Sequence, residues 1–528
     1  MELPKAFIEY LLRTMPKETA DALIAGLQTE PSISIRLNPA RQGINIQADG
    51  QVPWCPEGFY LKERPAFTAD PLLHAGGYYV QEASSMFLAH ILRTLQAWPA
   101  TNPQASIFNP QPTIALDLCA APGGKSTLLR ALLPDQCLLV SNEPIRTRCQ
   151  VLAENMSKWG HPNVVVTQAY PIDFARFTDT FDLILADVPC SGEGMMRKEA
   201  EAVAQWSEAL VRECSERQRQ IVADVWPALR PGGILIYSTC TFNREEDEDN
   251  VEWIARQLGA KVLEIPVEAS WGIQGDLRKT SKDTGMEARA DSGMEARTDS
   301  SMEARTDLSV EAGADAGKKG HQPALPCYHF LPGRIRGEGF FCAVLQKDGN
   351  TDFIAMDNDE TEAGSMPTVY NRLKTGAPDG SAVNFGELGG ISTDSIEKKS
   401  RKKEFKKAKK GKKGLQEGVA SEADRLRRQF AALTTLPTDL LDRPEPDRKS
   451  GEVPLVMTQV ELSLDDAFRY LRGESLCLPP DTPRGMVQVC YKGQRLGLMK
   501  NLGTRANNLY PKEWRIRSTH IEPQSIVK

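Results

Sequence analysis

The sequence predicts an α/β protein built on a parallel sheet that has helices on both faces. Residues 113–270 alternate strands with helices, which is the βαβ pattern of such sheets. A helix over 208–229 is expected to stop at Arg230-Pro231-Gly232-Gly233, where a turn follows. The expected strands of the sheet cover residues 114–118, 137–141, 163–167, 182–186 and 233–238.

A smaller domain precedes this core. Residues 1–30 have apolar positions at helical spacing, and residues 33–37 then alternate as a strand does. Residues 1–85 are therefore interpreted as an N-terminal α+β domain. A helix over 84–95 is expected to lead into the core.

The core is interrupted by an insert and completed after it. Residues 271–324 contain the repeat Gly-Met-Glu-Ala-Arg-Ala-Asp-Ser and close copies of it. The repeat is polar and too short to bury a face, which predicts a disordered insert. Two hairpin-like strands near 328–331 and 339–346 are expected to close the sheet, so that the core comprises 86–270 plus 325–347.

A linker and a terminal module follow the core. Residues 348–424 are rich in Gly, Ser and Asp, and the run 397–414 holds ten Lys and one Arg against two Glu. This composition predicts a flexible linker with a cationic tether. Residues 425–528 are expected to form a module of helices and a hairpin that turns at Lys492-Gly493.

Composition excludes several classes of protein. At about 150 residues per domain, the 528 residues suggest about three domains. The 11 cysteines include no C-x-x-C pair, which disfavours zinc ribbons and favours free thiols in a reducing cytosol. The chain lacks a signal-peptide pattern and any run of about 18 apolar residues. We therefore expect a cytoplasmic protein without a metal site.

The first strand of the core leads into a glycine-containing loop that is followed by a helix. Glycines let a ligand approach the backbone, and a helix N-terminus offers free N–H groups. The loop resembles a Walker A loop, but Cys119 replaces its first glycine, so the phosphate cradle is incomplete. The loop consists of Cys119, Ala120, Ala121, Pro122, Gly123, Gly124 and Lys125.

An acidic residue follows the second strand. Glu143 lies 26 residues after Asp117, at a strand tip where a carboxylate can accept hydrogen bonds from ribose hydroxyls. A loop without phosphate geometry beside a ribose-binding acid favours S-adenosylmethionine over ATP or NAD. We therefore expect S-adenosylmethionine as the cofactor.

Two thiols and one carboxylate follow the ends of later strands. Asp187 and Cys190 belong to Asp-Val-Pro-Cys-Ser-Gly-Glu-Gly-Met, and Cys240 belongs to Tyr-Ser-Thr-Cys-Thr. Ligands of doubly wound sheets bind at this carboxyl edge. A nucleophilic thiol beside a methyl donor indicates covalent chemistry on a pyrimidine.

Methylation of cytosine at carbon-5 needs such a thiol. Carbon-5 is too electron-poor to attack a methyl sulfonium until a thiolate adds at carbon-6. Asp187 can pair with the ring nitrogen and the exocyclic amine. Because a free thiol is only a few per cent thiolate at neutral pH, we expect Lys125 to lie nearby and lower its pKa. These considerations do not rank Cys190 and Cys240 between nucleophile and helper.

Other reactive residues are interpreted as structural. The acidic run Glu245–Asp249 is expected to open a helix, where carboxylates suit the positive end of the dipole. Four further cysteines are expected to be small buried hydrophobes, namely Cys119, Cys137, Cys149 and Cys214.

At the loop and cysteine motifs the chain resembles the Sun/Nop family of RNA 5-methylcytosine methyltransferases. Its layout is similar to the bacterial RsmF type, which modifies small-subunit ribosomal RNA. The resemblance covers about 1–270, 325–347 and 425–528. It implies a Rossmann-like class I methyltransferase core, an RNA-binding N-terminal domain and a C-terminal PUA-like RNA-binding module.

The resemblance also implies roles for individual residues. Cys240 would be the nucleophile, and Cys190 would assist product release. Segment 119–125, Glu143 and Asp187 match the positions at which the family binds its cofactor. One position departs from the pattern, since Tyr170 stands where related sequences often carry Asp.

RNA, above all small-subunit ribosomal RNA, is the expected partner of a chain that we expect to be a monomer. Residues 484–517 contain eight Lys or Arg against Glu513 alone. RNA binding needs cations for phosphates and planar groups for stacking. The candidates are Arg495, Lys500, Arg505, Lys512, Arg515 and Arg517, with Tyr491, Tyr510 and Trp514.

Three alternatives stay open. The substrate of the same chemistry can be tRNA. A P-loop-like nucleotidase would use Lys125 and Ser126, although Cys119 weighs against it. A non-catalytic RNA-binding factor of ribosome assembly would retain the basic module without turnover.

Overall fold

A computed structural model describes residues 3–101, 114–278, 324–348, 457–518 and 520–526, together with Phe430 and Leu433, but not the side chains of 98–101. The octad repeats, the lysine-rich linker and the start of the terminal module lie outside these residues. The helices are α1 Lys5–Thr14, α2 Lys17–Gly26, α3 Pro71–His74, α4 Leu88–Thr101, α5 Gly124–Leu132, α6 Arg146–Trp159, α7 Ala200–Gln205, α8 Glu208–Val225, α9 Glu248–Gln257 and α10 Leu464–Leu471. None of these helices is long and apolar enough to cross a membrane.

The strands follow the expected alternation. They are β1 Ile33–Leu37, β2 Gly58–Leu61, β3 Tyr78–Val80, β4 Ile114–Asp117, β5 Leu138–Asn142, β6 Val164–Thr167, β7 Phe181–Asp187, β8 Leu229–Thr239, β9 Ala260–Leu263, β10 Tyr328–Phe330, β11 Phe340–Lys347, β12 Gln459–Glu461, β13 Gly485–Tyr491, β14 Gln494–Asn501 and β15 Ala506–Asn508.

The central sheet is mixed rather than parallel throughout. Its strand order is β10-β11-β8-β7-β4-β5-β6, and β9 also pairs with β11. The five strands β6, β5, β4, β7 and β8 run parallel, as the sequence predicts. Strand β11 is antiparallel to β8, β9 and β10. The two hairpin-like strands therefore close the sheet as expected, whereas the short β9 was not predicted.

Helix α8 ends earlier than predicted. Its last residue is Val225, because Pro227 has no N–H to continue the helical hydrogen bonds and a 3₁₀ turn follows. Strand β8 then begins at Leu229, so residues 230–233 lie in the strand and not in a turn. The register with β7 shifts there, and this irregularity accommodates the proline and glycines.

Both faces of the central sheet are buried. Neighbouring residues of β7 face opposite layers, with Leu183 in one apolar cluster and Ile184 in the other. Strand β8 does the same with Ile236 and Leu235. This alternation is what a sheet covered on both faces requires.

The N-terminal domain is tied to the glycine-containing loop through one buried arginine. Arg36 of β1 is 2% exposed and donates to Thr127 Oγ1 at 2.6 Å and to the Gly124 carbonyl at 3.2 Å. It also donates to Gln81 Oε1 at 2.7 Å, and its guanidinium lies 4.6 Å from the ring of Trp159. The three-stranded sheet β2-β1-β3 therefore holds the start of α5.

The C-terminal module packs against the N-terminal domain. Its sheet has the order β12-β13-β14-β15, and one apolar cluster contains Leu72 and Tyr78 together with Tyr470 and Leu471. Because the two parts share this cluster, they form one continuous core.

Candidate active site

Polar residues follow four parallel strands at one edge of the central sheet. Asp117 ends β4, Glu143 follows β5, Asp187 ends β7 and Cys240 follows β8. The strands pair in register, with Asp187 opposite Ser238 of β8. The sheet therefore brings together residues from widely separated parts of the chain at its carboxyl edge.

The loop after β4 is fixed by a glycine in the left-handed conformation and by side chains of α6. Gly123 has φ of +115°, a left-handed conformation that favours glycine. Side chains of α6 bind the loop carbonyls, since Arg148 Nη2 donates to Ala121 at 3.0 Å and Asn155 Nδ2 donates to Pro122 at 2.8 Å. The loop backbone therefore has a defined path beside the end of β4.

The other loop residues differ in burial. The Ala120 N–H donates to the Asn142 carbonyl at 2.8 Å, which joins the loop to the end of β5. Cys119 is partly buried and packs against one of the two apolar clusters, so its interpretation as a buried hydrophobe is confirmed only in part. That interpretation was right for the buried thiols Cys137, Cys149 and Cys214.

Asp117 lies beneath the loop. It is fully buried, and burial raises its pKa to about 7. Its Oδ2 accepts a hydrogen bond from Ser126 Oγ at 2.6 Å, and that hydroxyl also lies 2.9 Å from Ser141 Oγ. Its Oδ1 is buried and has no hydrogen-bond partner among the described residues. Ser126 thus joins strand ends, and one carboxylate oxygen is left as an acceptor.

Glu143 offers a second acceptor. Its Oε1 accepts from the Ile145 N–H at 3.0 Å. Its Oε2 lies 3.3 Å from Arg148 Nη1 but makes no well-aligned hydrogen bond in the described part of the chain. Burial raises the pKa of this carboxyl group. Further along this edge, Asp173 caps a short turn by accepting from the Tyr170 N–H at 2.9 Å.

Lys125 and Asp187 form an ion pair. Lys125 Nζ lies 2.9 Å from Asp187 Oδ2, and Ser238 Oγ donates to Asp187 Oδ1 at 2.8 Å. Burial on its own would lower the pKa of Lys125, but the negative charge of Asp187 more than offsets this effect and raises it. The ammonium group also interacts electrostatically with Cys240, and its expected effect on the pKa of this thiol stays a prediction.

The two candidate thiols are in contact. Cys190 Sγ lies 3.0 Å from Cys240 Sγ and accepts a hydrogen bond from the Cys240 N–H at 3.4 Å. The neighbouring Cys240 sulfur, together with burial, raises the pKa of Cys190 well above its usual value. Cys190 therefore stays a neutral thiol at physiological pH.

The acidic run Glu245–Asp249 opens α9 only in part. The helix begins at Glu248, while Glu246 and Asp247 precede it and are fully buried. They accept hydrogen bonds from the segments around the two cysteines, because these segments pack directly on the start of α9. Sequence reasoning missed this role, and the only local signal was an acidic run beside a cysteine motif.

Most of the basic residues that are candidates for RNA binding in the terminal module are exposed. Arg495, Lys500, Arg505, Lys512 and Arg517 are exposed, and Arg515 is half buried. The expectation that Tyr491 and Tyr510 stack on RNA bases was wrong, since both side chains are buried in the core shared with the N-terminal domain. Trp514 is half buried and packs against Tyr510 with ring centroids 6.1 Å apart.

One described cluster has the composition of a metal site. It consists of Glu248, Cys327 and His329, all buried. His329 Nε2 lies 3.0 Å from Glu248 Oε1, and the same oxygen accepts from the Leu277 N–H at 2.8 Å. These contacts describe a buried hydrogen-bonded pair that joins β10 to α9. The absence of a metal stays a prediction.

Three family models match the chain. The model for the 16S rRNA methyltransferase RsmB/F matches residues 105–346, which include the loop and both cysteines. The model for the N-terminal domain of the 16S rRNA methyltransferase RsmF matches residues 3–83. The model for the methyltransferase RsmF PUA domain matches residues 458–516.

Two similar proteins are each named ribosomal RNA small subunit methyltransferase F. That of Cronobacter sakazakii is 36% identical over 285 residues, which are 51% of this chain and 56% of the relative. That of Klebsiella pneumoniae is 28% identical over 530 residues, which are 97% of this chain and 96% of the relative. The match thus spans about half of the first relative and nearly all of the second.

Solved structures with partial similarity include two from Pyrococcus horikoshii. A methyltransferase homologue is 21% identical with a TM-score of 0.46 and covers 65% of this chain and 95% of its own. NSun6 with SFG is 19% identical with a TM-score of 0.45 and covers 65% of this chain and 98% of its own.

Proposed function

Because the chain belongs to the 16S rRNA methyltransferase RsmB/F family and has the three parts of its RsmF type, we propose that it methylates carbon-5 of a cytosine in small-subunit ribosomal RNA. The observation that carries this proposal is the contact of Cys190 and Cys240, 3.0 Å apart, beside the ion pair of Lys125 and Asp187. The methyl donor is S-adenosylmethionine, which supplies an electrophilic methyl group when it is bound.

Cys240 is assigned as the nucleophile and Cys190 as the proton donor in release, and the two sulfur atoms lie 3.0 Å apart. The Cys240 thiolate would add to carbon-6 of the cytosine, so that carbon-5 becomes nucleophilic and accepts the methyl group. In release, the carbon-5 proton leaves to water, its electron pair restores the ring double bond, and the bond between carbon-6 and sulfur breaks. Cys190 is close enough to donate its proton to the departing sulfur and is then reprotonated by solvent.

Lys125 and Asp187 would stabilise the charges of this reaction. The Lys125 ammonium pairs with Asp187 and interacts electrostatically with Cys240, so it would stabilise negative charge on this sulfur as the sulfur leaves the ring. The Asp187 carboxylate is oriented by Lys125 and Ser238, and its side chain is 30% exposed. It can therefore accept hydrogen bonds from the exocyclic amine of a cytosine at this edge.

The residues of the loop edge suit the proposed cofactor. Asp117 Oδ1 and Glu143 Oε2 are buried acceptors without a hydrogen-bond partner in the described residues. A nucleoside with ribose hydroxyls would satisfy such acceptors, since buried polar atoms without partners are costly. Glu143 would hold the ribose, and the backbone of segment 119–125 would border the amino-acid part of the cofactor.

The geometry disfavours the two alternatives that are not RNA methyltransferases, namely a P-loop nucleotidase and a non-catalytic assembly factor. In a P-loop nucleotidase the hydroxyl after the lysine faces a metal and a phosphate. Here the Ser126 hydroxyl is buried and bound to Asp117. A non-catalytic assembly factor would have no need for two thiols in contact beside a lysine–aspartate pair.

Methylation assays with defined RNAs test the proposed function. The full chain is incubated with S-adenosylmethionine and either 16S ribosomal RNA, small subunits or tRNA, and 5-methylcytosine is mapped by mass spectrometry. We expect 5-methylcytosine at one position of the ribosomal RNA and none with the Cys240→Ala variant. Methylation of tRNA alone would replace the proposed substrate, and tight binding of ATP without methylation would contradict the proposed chemistry.

A further inference from the structure

The two cysteines lie in loops that pack against each other. The first loop comprises residues 188–195 and contains Cys190, and the second comprises residues 240–247 and contains Cys240. The Gly194 N–H of the first loop donates to the Cys240 carbonyl at 2.7 Å. The two loops are therefore joined at the backbone of the proposed nucleophile.

Each loop sends one buried carboxylate to the backbone of the other. Glu193 of the first loop accepts at Oε2 from the Phe242 N–H of the second at 2.7 Å. Glu246 of the second loop accepts at Oε2 from the Ser191 N–H of the first at 3.0 Å. Both acids are 0% exposed, so neither bond competes with water. Each acid therefore binds the backbone of the opposite loop, at a residue one or two positions after a cysteine.

Two neutral amide side chains also donate hydrogen bonds to these buried carboxylates. Asn243 Nδ2 donates to Glu246 Oε1 at 2.8 Å and to Glu193 Oε1 at 3.1 Å, so it joins the two acids. Gln218 Nε2 of α8 donates to Glu246 Oε2 at 2.6 Å and to the Pro189 carbonyl at 2.9 Å. The residues on both sides of Cys190 are thereby attached to Glu246, directly or through Gln218.

A buried acid that has lost its donors is expensive, because its charge is no longer stabilised in a medium of low dielectric constant. Moving either loop by about 1 Å would break several of these bonds at once, and misplacement of this size can cost about 100-fold in rate. The network therefore opposes independent movement of the two sulfur atoms.

We propose that Glu193 and Glu246 are positioning residues, each of which sets the sulfur of the cysteine in the opposite loop. The inference deepens the proposed function and rests on it. Since Glu246 holds the backbone after Cys190, its loss should impair release of the product. Since Glu193 holds the backbone after Cys240, its loss should impair addition of the thiolate. The two variants should therefore differ in the covalent complex that accumulates.

The test compares Glu246→Gln and Glu193→Gln in the full chain with a matched control. The control is Glu248→Gln, because Glu248 is a buried acid of the same run that binds Leu277 and His329 and neither cysteine loop. With S-adenosylmethionine and 16S ribosomal RNA, two quantities are measured: turnover to 5-methylcytosine, and the fraction of protein that stays attached to RNA in denaturing gels.

We expect Glu246→Gln to lower turnover about 10-fold or more and to raise the attached fraction several-fold above wild type. Glu193→Gln should lower turnover and bring the attached fraction below wild type, while Glu248→Gln should leave the attached fraction unchanged. A purely structural role would lower turnover, attached fraction and melting temperature together in both variants, and that outcome would overturn the inference.

A second variant keeps the inference open to refutation if Glu246→Gln does not fold. Gln218→Met removes the amide that joins Glu246 to the Pro189 carbonyl and leaves every charge in place. It should also raise the attached fraction, and an unchanged fraction in this variant would again count against the inference. A wild-type chain that forms neither product nor adduct would instead contradict the proposed function.

Discussion

The Sγ atoms of Cys190 and Cys240 lie 3.0 Å apart, although 50 residues separate them in the chain. Strands β7 and β8 pair in parallel, and the two loops that follow them meet at one edge of the sheet. The neighbouring Cys240 sulfur and burial together raise the pKa of Cys190 well above its usual value. The proposed mechanism uses this contact, with Cys240 as the nucleophile and Cys190 as the proton donor.

Replacing either cysteine by alanine should produce a different defect in the covalent complex. Cys240→Ala should abolish methylation and form no covalent complex, because no sulfur is left to add to carbon-6. Cys190→Ala should leave RNA attached through Cys240, since the departing sulfur lacks its proton donor. Gel shifts under denaturing conditions measure the complex. The control is Cys477→Ala, which removes an exposed thiol of the C-terminal module. Normal turnover of Cys190→Ala without trapped RNA would refute the assignment.

Removal of the Lys125 charge should slow the addition step. Lys125→Met leaves the aliphatic stem but removes the cation beside Cys240 and Asp187, so kcat should fall by about 100-fold. The rate at which iodoacetamide alkylates Cys240 should fall as well, because the variant lacks the cation that stabilises negative charge at this sulfur. Lys17→Met, at a lysine whose side chain is 83% exposed, should change neither rate. Equal alkylation rates in Lys125→Met and wild type would show that the lysine does not act on the thiol.

Glu143 should contribute to cofactor binding and not to the chemical step. Glu143→Gln replaces the acceptor at Oε2 by an amide, so KM for S-adenosylmethionine should rise about 10-fold while kcat changes little. Titration calorimetry should show a matching rise in the Kd for the cofactor. Glu154→Gln, at an acid on the same helix as Arg148 that pairs with Lys158, is the control. A fall in kcat with unchanged KM would contradict a ribose contact.

The buried Asp117 carboxyl should make stability depend on pH. Its pKa is raised from 3.8 to about 7, so between these values the folded chain binds a proton that the unfolded chain releases. This contribution to stability is complete below about pH 4 and is lost as pH rises to about 7, at up to about 1.4 kcal/mol per pH unit. Urea unfolding at several pH values measures the free energy of unfolding. Its decline with rising pH should be shallower in Asp117→Asn than in wild type. Asp21→Asn, at an exposed acid, should keep the wild-type slope; a similar flattening there would exclude Asp117 as the cause.

Gly194 should tolerate no side chain. A Cβ atom at this position would lie 2.8 Å from the carbonyl oxygens of both Cys240 and Gly339, which are backbone atoms with little freedom to move. Gly194→Ala should therefore displace the second cysteine loop, lower the free energy of unfolding by about 1–3 kcal/mol and reduce turnover strongly. Gly275→Ala, where a Cβ would meet nothing within 4 Å, should behave as wild type. Full activity of Gly194→Ala would mean that the loop geometry is not critical.

Several structural features could be predicted because their signals are local. The five parallel strands and the loop over Cys119–Lys125 have periodicity, glycines and flanking helices that a short window reveals. The end of α8 was misplaced because the stop was assigned to Pro231, whereas Pro227 had already ended the helix. The pairing of the short β9 with β11 depends on a strand far away in the chain and left no local pattern.

The residues that meet at the carboxyl edge could be read from the order of the strands, since parallel strands place the residues that follow them on one side of the sheet. Three features required the packed chain: the ion pair of Lys125 with Asp187, the binding of Glu193 and Glu246 each to the opposite loop, and the burial of Tyr491 and Tyr510. These features depend on side chains from distant segments that become neighbours only when the chain is packed. Their burial and their hydrogen bonds follow from that packing and have no periodic signature in the sequence.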